Sequence, residues 1–177
     1  MSGNEPSHLL RCACGQVECQ ASGAPIGTAV CYCDDCQAAA RLIEARPGAA
    51  PVADLDSGTA LTLFHRRRFL VTRGAELLEP IKLRDDSPTF RMVATCCNSA
   101  LYLGFDRGRY WVSTLRNRFT GALPPIEFRH MTRYRTSTLP YPDDAPRSPG
   151  FAPRFIARTI WVWVKSLVGL YRLPSQS

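Results

Sequence analysis

Cys31, Cys33 and Cys36 stand in the stretch CYCDDCQ, three thiols within six positions. Thiolates at i, i+2 and i+5 converge on one soft divalent ion when the chain turns tightly after the second, and zinc is the ion that takes four such ligands in a tetrahedron. The amides at the start of a following helix would soften the thiolate charge. No further Cys or His lies in the turn or in the residues just after it. The fourth position is therefore expected to take water or an incoming thiol, with distant Cys96 as the one protein side chain that could compete. Three thiolates on a dication leave a net charge of about −1, which favours a neutral fourth ligand unless a cation is near. Arg41, five residues beyond Cys36, is the cation expected there.

Two further thiol groups accompany the triplet. Cys12 and Cys14, in CACG, share one face of an extended chain and can pinch a metal from a strand end, or simply be buried there. Cys96 and Cys97 are neighbours in TCCNSAL. On a strand they point to opposite faces, so both reach one ion only if the chain turns. Cys19 shares a face with Val17 and is expected in the core, with a replacement ligand as its other role. Clusters of this kind favour metal over disulfides, and a reducing cytosol keeps thiols free for it. MSGNEPSHLLRCACG shows no export signal, so a cytoplasmic location is expected. His8, His65 and His130 stand apart from one another and read as solvent-facing or structurally satisfied.

The elements that must position these groups are mostly strands. Apolar alternations broken by SGAP, RPGAAP, DLDSG, TRGAE, RDDSP and DRGR predict a mainly β domain over residues 1–136, with strands at 8–12, 16–21, 61–64, 68–72, 78–83 and 91–95. DDCQAAARLIEA predicts a short helix starting at the thiol turn, capped by Asp34 or Asp35. Residues 137–153 carry five prolines and read as an extended linker or a strap over the surface. Residues 154–173 predict an amphipathic helix, with Arg154, Arg158, Lys165 and Arg172 on one face and Ile156, Ile160, Trp163, Val164, Leu167, Val168 and Tyr171 opposite. Its apolar face is expected to dock on its own domain or a second chain, as in a homodimer, or to lie on an anionic membrane surface. It is too interrupted by charge to span a bilayer.

The 177 residues carry a net charge of +7, unevenly spread. Residues 1–60 hold three basic and seven acidic side chains, whereas residues 61–177 hold nineteen and eight. No motif that reads RNA or DNA accompanies the basic half, so no specific nucleic-acid partner is expected. The acidic pairs Asp85–Asp86 and Asp143–Asp144 sit among turn residues and prolines and read as loop solvation.

CACGQV, a bend, and then CYCDDCQ resemble the family of glutathione-dependent formaldehyde-activating enzymes and centromere protein V. TCCNSAL is similar to that family's later CxxCG(S/T)xL element, and FLVTRGAELLEPIKL resembles the strand pair before it. The resemblance covers about residues 8–105 and implies a β-tent fold of small antiparallel sheets joined by zinc–thiolate sites. It also implies condensation chemistry between a small aldehyde and a thiol such as glutathione. Aligned on CNSAL, Cys97 takes the place of the second late Cys and Ala94 that of the first, so one ligand is missing unless Cys96 replaces it. Cys96 could otherwise face the triplet or stay a free thiol.

Two functional classes follow. The first is a zinc-dependent carbon–sulfur lyase acting at Cys31, Cys33 and Cys36 on a thiol adduct of a small aldehyde. Its metal ligands are those three with Cys12, Cys14, Cys96 and Cys97, and one to two zinc ions bind per chain. The second is a non-catalytic, zinc-stabilised binding module. The intact triplet favours the first, the altered late pair and the appended helix the second.

Overall fold

The computed structural model describes residues 6–107 and 109–168. In chain order the elements are β1 (Ser7–Arg11), β2 (Glu18–Ser22), β3 (Gly27–Cys31), α1 (Asp34–Glu44), β4 (Thr59–His65), β5 (Phe69–Arg73), β6 (Leu78–Ile81), β7 (Thr89–Ala94), β8 (Ser99–Phe105), β9 (Trp111–Leu115), β10 (Phe128–His130) and α2 (Pro153–Leu167). The fold is mainly β, with two α-helices among the described residues. Strands β1, β2 and β5 form one small antiparallel sheet, and a seven-stranded sheet runs β10-β3-β4-β9-β8-β7-β6. The larger sheet is antiparallel except at its edge, where β10 lies parallel to β3.

The six strands read from alternation are present, each displaced by a few residues at most. Strands β3, β8, β9 and β10 were not among them. The segments β5 and β6 do not pair with each other: β5 joins β2, and β6 joins β7. Gly74, at φ 71°, sits where the chain leaves one sheet for the other, and a side chain there would meet the Gln16 carbonyl. Pro80 is tolerated in β6 because that strand is an edge.

The large sheet is covered on both faces. Leu61 and Leu63 of β4, Val93 of β7 and Leu115 of β9 pack with Cys36, Ala40 and Ile43 of α1. Phe64, Ala94, Leu101 and Val112, from the opposite face, pack with Leu10, Cys19 and Ala21 of the small sheet. Residues on alternate sides of each strand thus build two cores, one under each thiol group.

Beyond β10 the chain doubles back. The Arg129 amide donates to the Pro146 carbonyl and the Ser148 amide to the Arg129 carbonyl, both at 2.9 Å, which lays the proline-rich segment along β10. Arg129, buried, donates to Asp56 Oδ2 at 2.9 Å and to both carboxylate oxygens of Asp144 at 2.7 and 2.9 Å. Removing one member of such a buried pair costs about 3–5 kcal/mol, so this guanidinium is a strong tether for the segment.

Helix α2 docks by a face the amphipathic pattern did not select. Phe155 lies 4.6 Å from the His130 ring and 6.0 Å from Phe128. Arg158 donates to Glu127 at 2.6 and 2.7 Å, and the Tyr110 hydroxyl donates to the Thr159 carbonyl. Ile156, Ile160, Trp161, Trp163, Val164, Leu167 and Val168 are left exposed. Docking of the apolar face on its own domain, one of the expected arrangements, does not occur, because Phe155 and Arg158 find an aromatic seat and a carboxylate on the domain and turn the apolar face outward. Tyr171 and Arg172 lie outside the described residues. No helix among the described residues is long and apolar enough to cross a membrane.

Candidate metal–thiolate centres

Strand β3 delivers Cys31 to the edge of the core, Tyr32 is buried next to it, and the chain then turns into α1. Cys33 is the N-cap: extended at φ −63°, ψ 155°, it accepts the Cys36 amide on Sγ at 3.4 Å. This corrects the expectation for Asp34 or Asp35, which occupy the first turn, where their charge meets the helix dipole. Gln37 locks the turn, donating from Nε2 to the Tyr32 and Tyr134 carbonyls at 2.7 Å each and accepting from the Thr136 hydroxyl at 2.6 Å. The sulfurs of Cys31, Cys33 and Cys36 lie within 4.8 Å of one another, and no fourth Cys, His or carboxylate among the described residues joins them.

Cys33 is held far below the ordinary thiol range, chiefly by hydrogen bonds from the Cys31 and Cys36 thiols, and by the field of Arg91. Cys31 and Cys36 are pushed up in turn. The three thiols thus share one negative charge, and a cation bound among them would have to displace the remaining protons. The cation beside it is Arg91, not Arg41. Arg41 is exposed in the last turn of α1, whereas Arg91 is buried in β7, with Nη2 donating to the Asp35 carbonyl at 3.1 Å.

The second cluster joins the two sheets. Cys12 and Cys14 follow β1, and Cys96 and Cys97 sit in the turn between β7 and β8. The Sγ separations are 3.5 Å for Cys12–Cys14, 3.3 Å for Cys14–Cys96, 3.9 Å for Cys12–Cys96 and 3.9 Å for Cys96–Cys97. Four sulfurs around a tetrahedral zinc would stand about 3.8 Å apart, so the group fits a metal ion. Neighbouring thiols can share the site because the chain turns there, with Asn98 at φ 50°. The Ser99 hydroxyl lies 3.1 Å from Cys97 Sγ and accepts the Ala13 amide at 3.0 Å. Burial opposes ionisation of Cys97, but hydrogen bonds from the Ser99 hydroxyl, the Cys14 amide and the Cys14 and Cys12 thiols hold it down to about 6. Ala94 is buried in the core, and Cys96 stands at the cluster instead, away from the triplet. Cys19 belongs to neither group: it is fully buried, and burial pushes it up to about 12.

A cavity of about 250 Å³ opens beside the triplet, with Arg91, Leu63, Trp111 and His130 in its walls and Phe151 and Phe155 over it. His130 lies in register with Cys31 across the β10–β3 pairing. Its Nδ1 accepts the Ala152 amide at 3.1 Å, while Nε2 is buried and has no hydrogen-bond partner among the described residues. Nothing in the sequence connects His130 with Cys31, 99 positions away. His65 accepts the Arg67 amide on Nδ1 at 3.2 Å, and His8 Nε2 lies 3.2 Å from the Gly23 carbonyl; both fit a structural role.

The family model described as glutathione-dependent formaldehyde-activating enzyme matches residues 8–110. The crystal structure of a Rhodobacter sphaeroides protein is similar at a TM-score of 0.46 and 16% identity, over 66% of this chain and 91% of that one. No curated protein matches the chain.

Proposed function

The chain belongs to the glutathione-dependent formaldehyde-activating enzyme family, and from that premise we propose that it is a zinc-dependent carbon–sulfur lyase acting on the adduct of a thiol with a small aldehyde. The carrying observation is the three-thiol group with no fourth protein ligand among the described residues, beside a buried guanidinium and open to a cavity. A zinc ion held by Cys31, Cys33 and Cys36 would supply an open position that keeps a substrate sulfur ionised. Arg91 brings the net charge of such a site from about −1 to about zero, so an entering fourth thiolate leaves about −1 where it would otherwise leave about −2. In the reaction R–S–CH(OH)–R′ → RSH + O=CH–R′, the C–S bond breaks and sulfur keeps the pair. The hydroxyl proton leaves as the C=O bond forms, and a proton from water restores the thiol.

Cys12, Cys14, Cys96 and Cys97 would hold a second, closed, structural zinc, for two per chain. A reducing cytoplasm suits both sites. X-ray absorption on the zinc protein tests the reading. The mean first shell should hold about 3.5 sulfurs per zinc at rest and rise to about 4 with glutathione, as one open site fills. Four sulfurs at rest, unchanged by thiol, would instead assign a non-catalytic zinc-stabilised module.

We further propose that the outer face of α2 rests on an anionic lipid surface. Trp163 and Leu167 border a depression shared with Arg66, Arg67 and Arg109, so exposed apolar side chains stand beside clustered cations. Ile160→Ser with Leu167→Ser, both at exposed positions, is expected to weaken co-sedimentation with phosphatidylglycerol vesicles about tenfold or more while leaving the melting temperature unchanged. Equal binding to neutral vesicles, or a dimer that the same pair of substitutions dissolves, would sink the lipid reading.

A further inference from the structure

His130 carries a buried N–H with nothing to donate to among the described residues. Because Nδ1 accepts the Ala152 amide, the ring proton of the neutral imidazole sits on Nε2. A buried donor left unpaired costs about 1–3 kcal/mol, and its persistence calls for a reason. That donor belongs to a residue lining the cavity at the thiol triplet, one strand over from Cys31. Phe151, half exposed, and Phe155 lie 5.5 and 4.6 Å from the ring and close the cavity on that side. All three residues come from the part of the chain beyond the 8–110 span of the family match. The remaining surfaces are largely apolar, and about 250 Å³ is room for a ring-sized group.

We propose that His130 Nε2–H is the donor to the oxygen of the substrate's carbonyl carbon, and that Phe151 and Phe155 make the site select apolar, several-carbon aldehydes, aromatic ones above all, over formaldehyde. This rests on the lyase reading and names its substrate class. As the C–S bond of the adduct breaks and the hydroxyl proton passes to water, negative charge gathers on oxygen before the C=O bond is complete. The Nε2–H bond is formed to that oxygen and is strongest at that moment.

The experiment uses the zinc-loaded full chain with His130→Asn and His130→Gln. The Asn amide oxygen stands where Nδ1 was and keeps the bond to Ala152. The Gln amide nitrogen reaches where Nε2 was and keeps the donor. With the adduct of benzaldehyde and benzyl mercaptan, kcat is expected to fall about 10²- to 10³-fold in His130→Asn and much less in His130→Gln. For the wild type, kcat/KM should favour that adduct over the formaldehyde–benzyl mercaptan adduct by about tenfold or more. The ¹⁵N-detected Nε2–H resonance of His130 should also shift when benzaldehyde alone is added. A purely structural His130 gives the opposite order, with Asn active and Gln impaired, and overturns the proposal, as does a preference for the formaldehyde adduct; either leaves the lyase reading standing. If no adduct is turned over, the lyase reading fails. A shifted Nε2–H resonance would then still support the oxygen seat, and an unmoved one would overturn that as well.

Discussion

Serine at both Cys12 and Cys14 is expected to lower the melting temperature of the zinc protein by about 10–20 °C. The four-thiol group ties the end of β1 to the turn between β7 and β8, residues more than 80 positions apart that belong to different sheets. Structural zinc contributes roughly 10–16 kcal/mol where it must fold a peptide unaided. Here the small sheet keeps its own contacts through Leu10, Cys19 and Ala21, so a loss of about 5 kcal/mol is a reasonable share. For a chain of this size each kcal/mol moves the midpoint by about 2–4 °C. A chelator should reproduce most of the loss in the wild type and add little in the double variant. A midpoint that does not move when metal analysis shows zinc fully removed would refute a structural metal at this site.

What could be read beforehand divides along the range of the interactions involved. Strand β2 alternates between core and surface, and alternation is visible locally. Strand β3 is buried at all five positions and shows no period, while β10 has three residues and owes its place to a parallel partner almost a hundred positions earlier. The thiols were legible because spacing alone brings Cys31, Cys33 and Cys36 together. The place of Cys96 was open because its reach depends on a turn whose Asn98 takes a left-handed backbone. Arg41 was the nearest cation in sequence, but Arg91 arrives from β7, across the sheet from α1. Helix α2 was legible as amphipathic, and periodicity places its stripes without saying which one meets protein. That is settled by Phe155 and Arg158, whose partners Phe128, His130 and Glu127 lie on a different element.

Cys36→Ser and Cys96→Ser are expected to fail in opposite ways, and the contrast separates a working site from a scaffold. Cys36 is one of three thiols at an open position, so its loss should cut thiol-dependent turnover by about 10³-fold or more, the scale on which members of a catalytic unit act. Stability should fall by only about 1–2 kcal/mol, the size of an ordinary buried substitution. The turn beneath it is held independently by the Cys33 cap, by Gln37 on the Tyr32 carbonyl, and by Ala40 and Ile43 in the core. Cys96 stands in the other group, so its serine variant should lose stability on the scale of the Cys12 and Cys14 change while keeping turnover wherever it stays folded. Zinc content should drop in both, but only in Cys36→Ser should the thiol-dependent rise in sulfur coordination vanish. If Cys96→Ser abolished turnover in the folded protein while Cys36→Ser retained it, the chemistry would belong to the four-thiol group. The open triplet would then be the structural site.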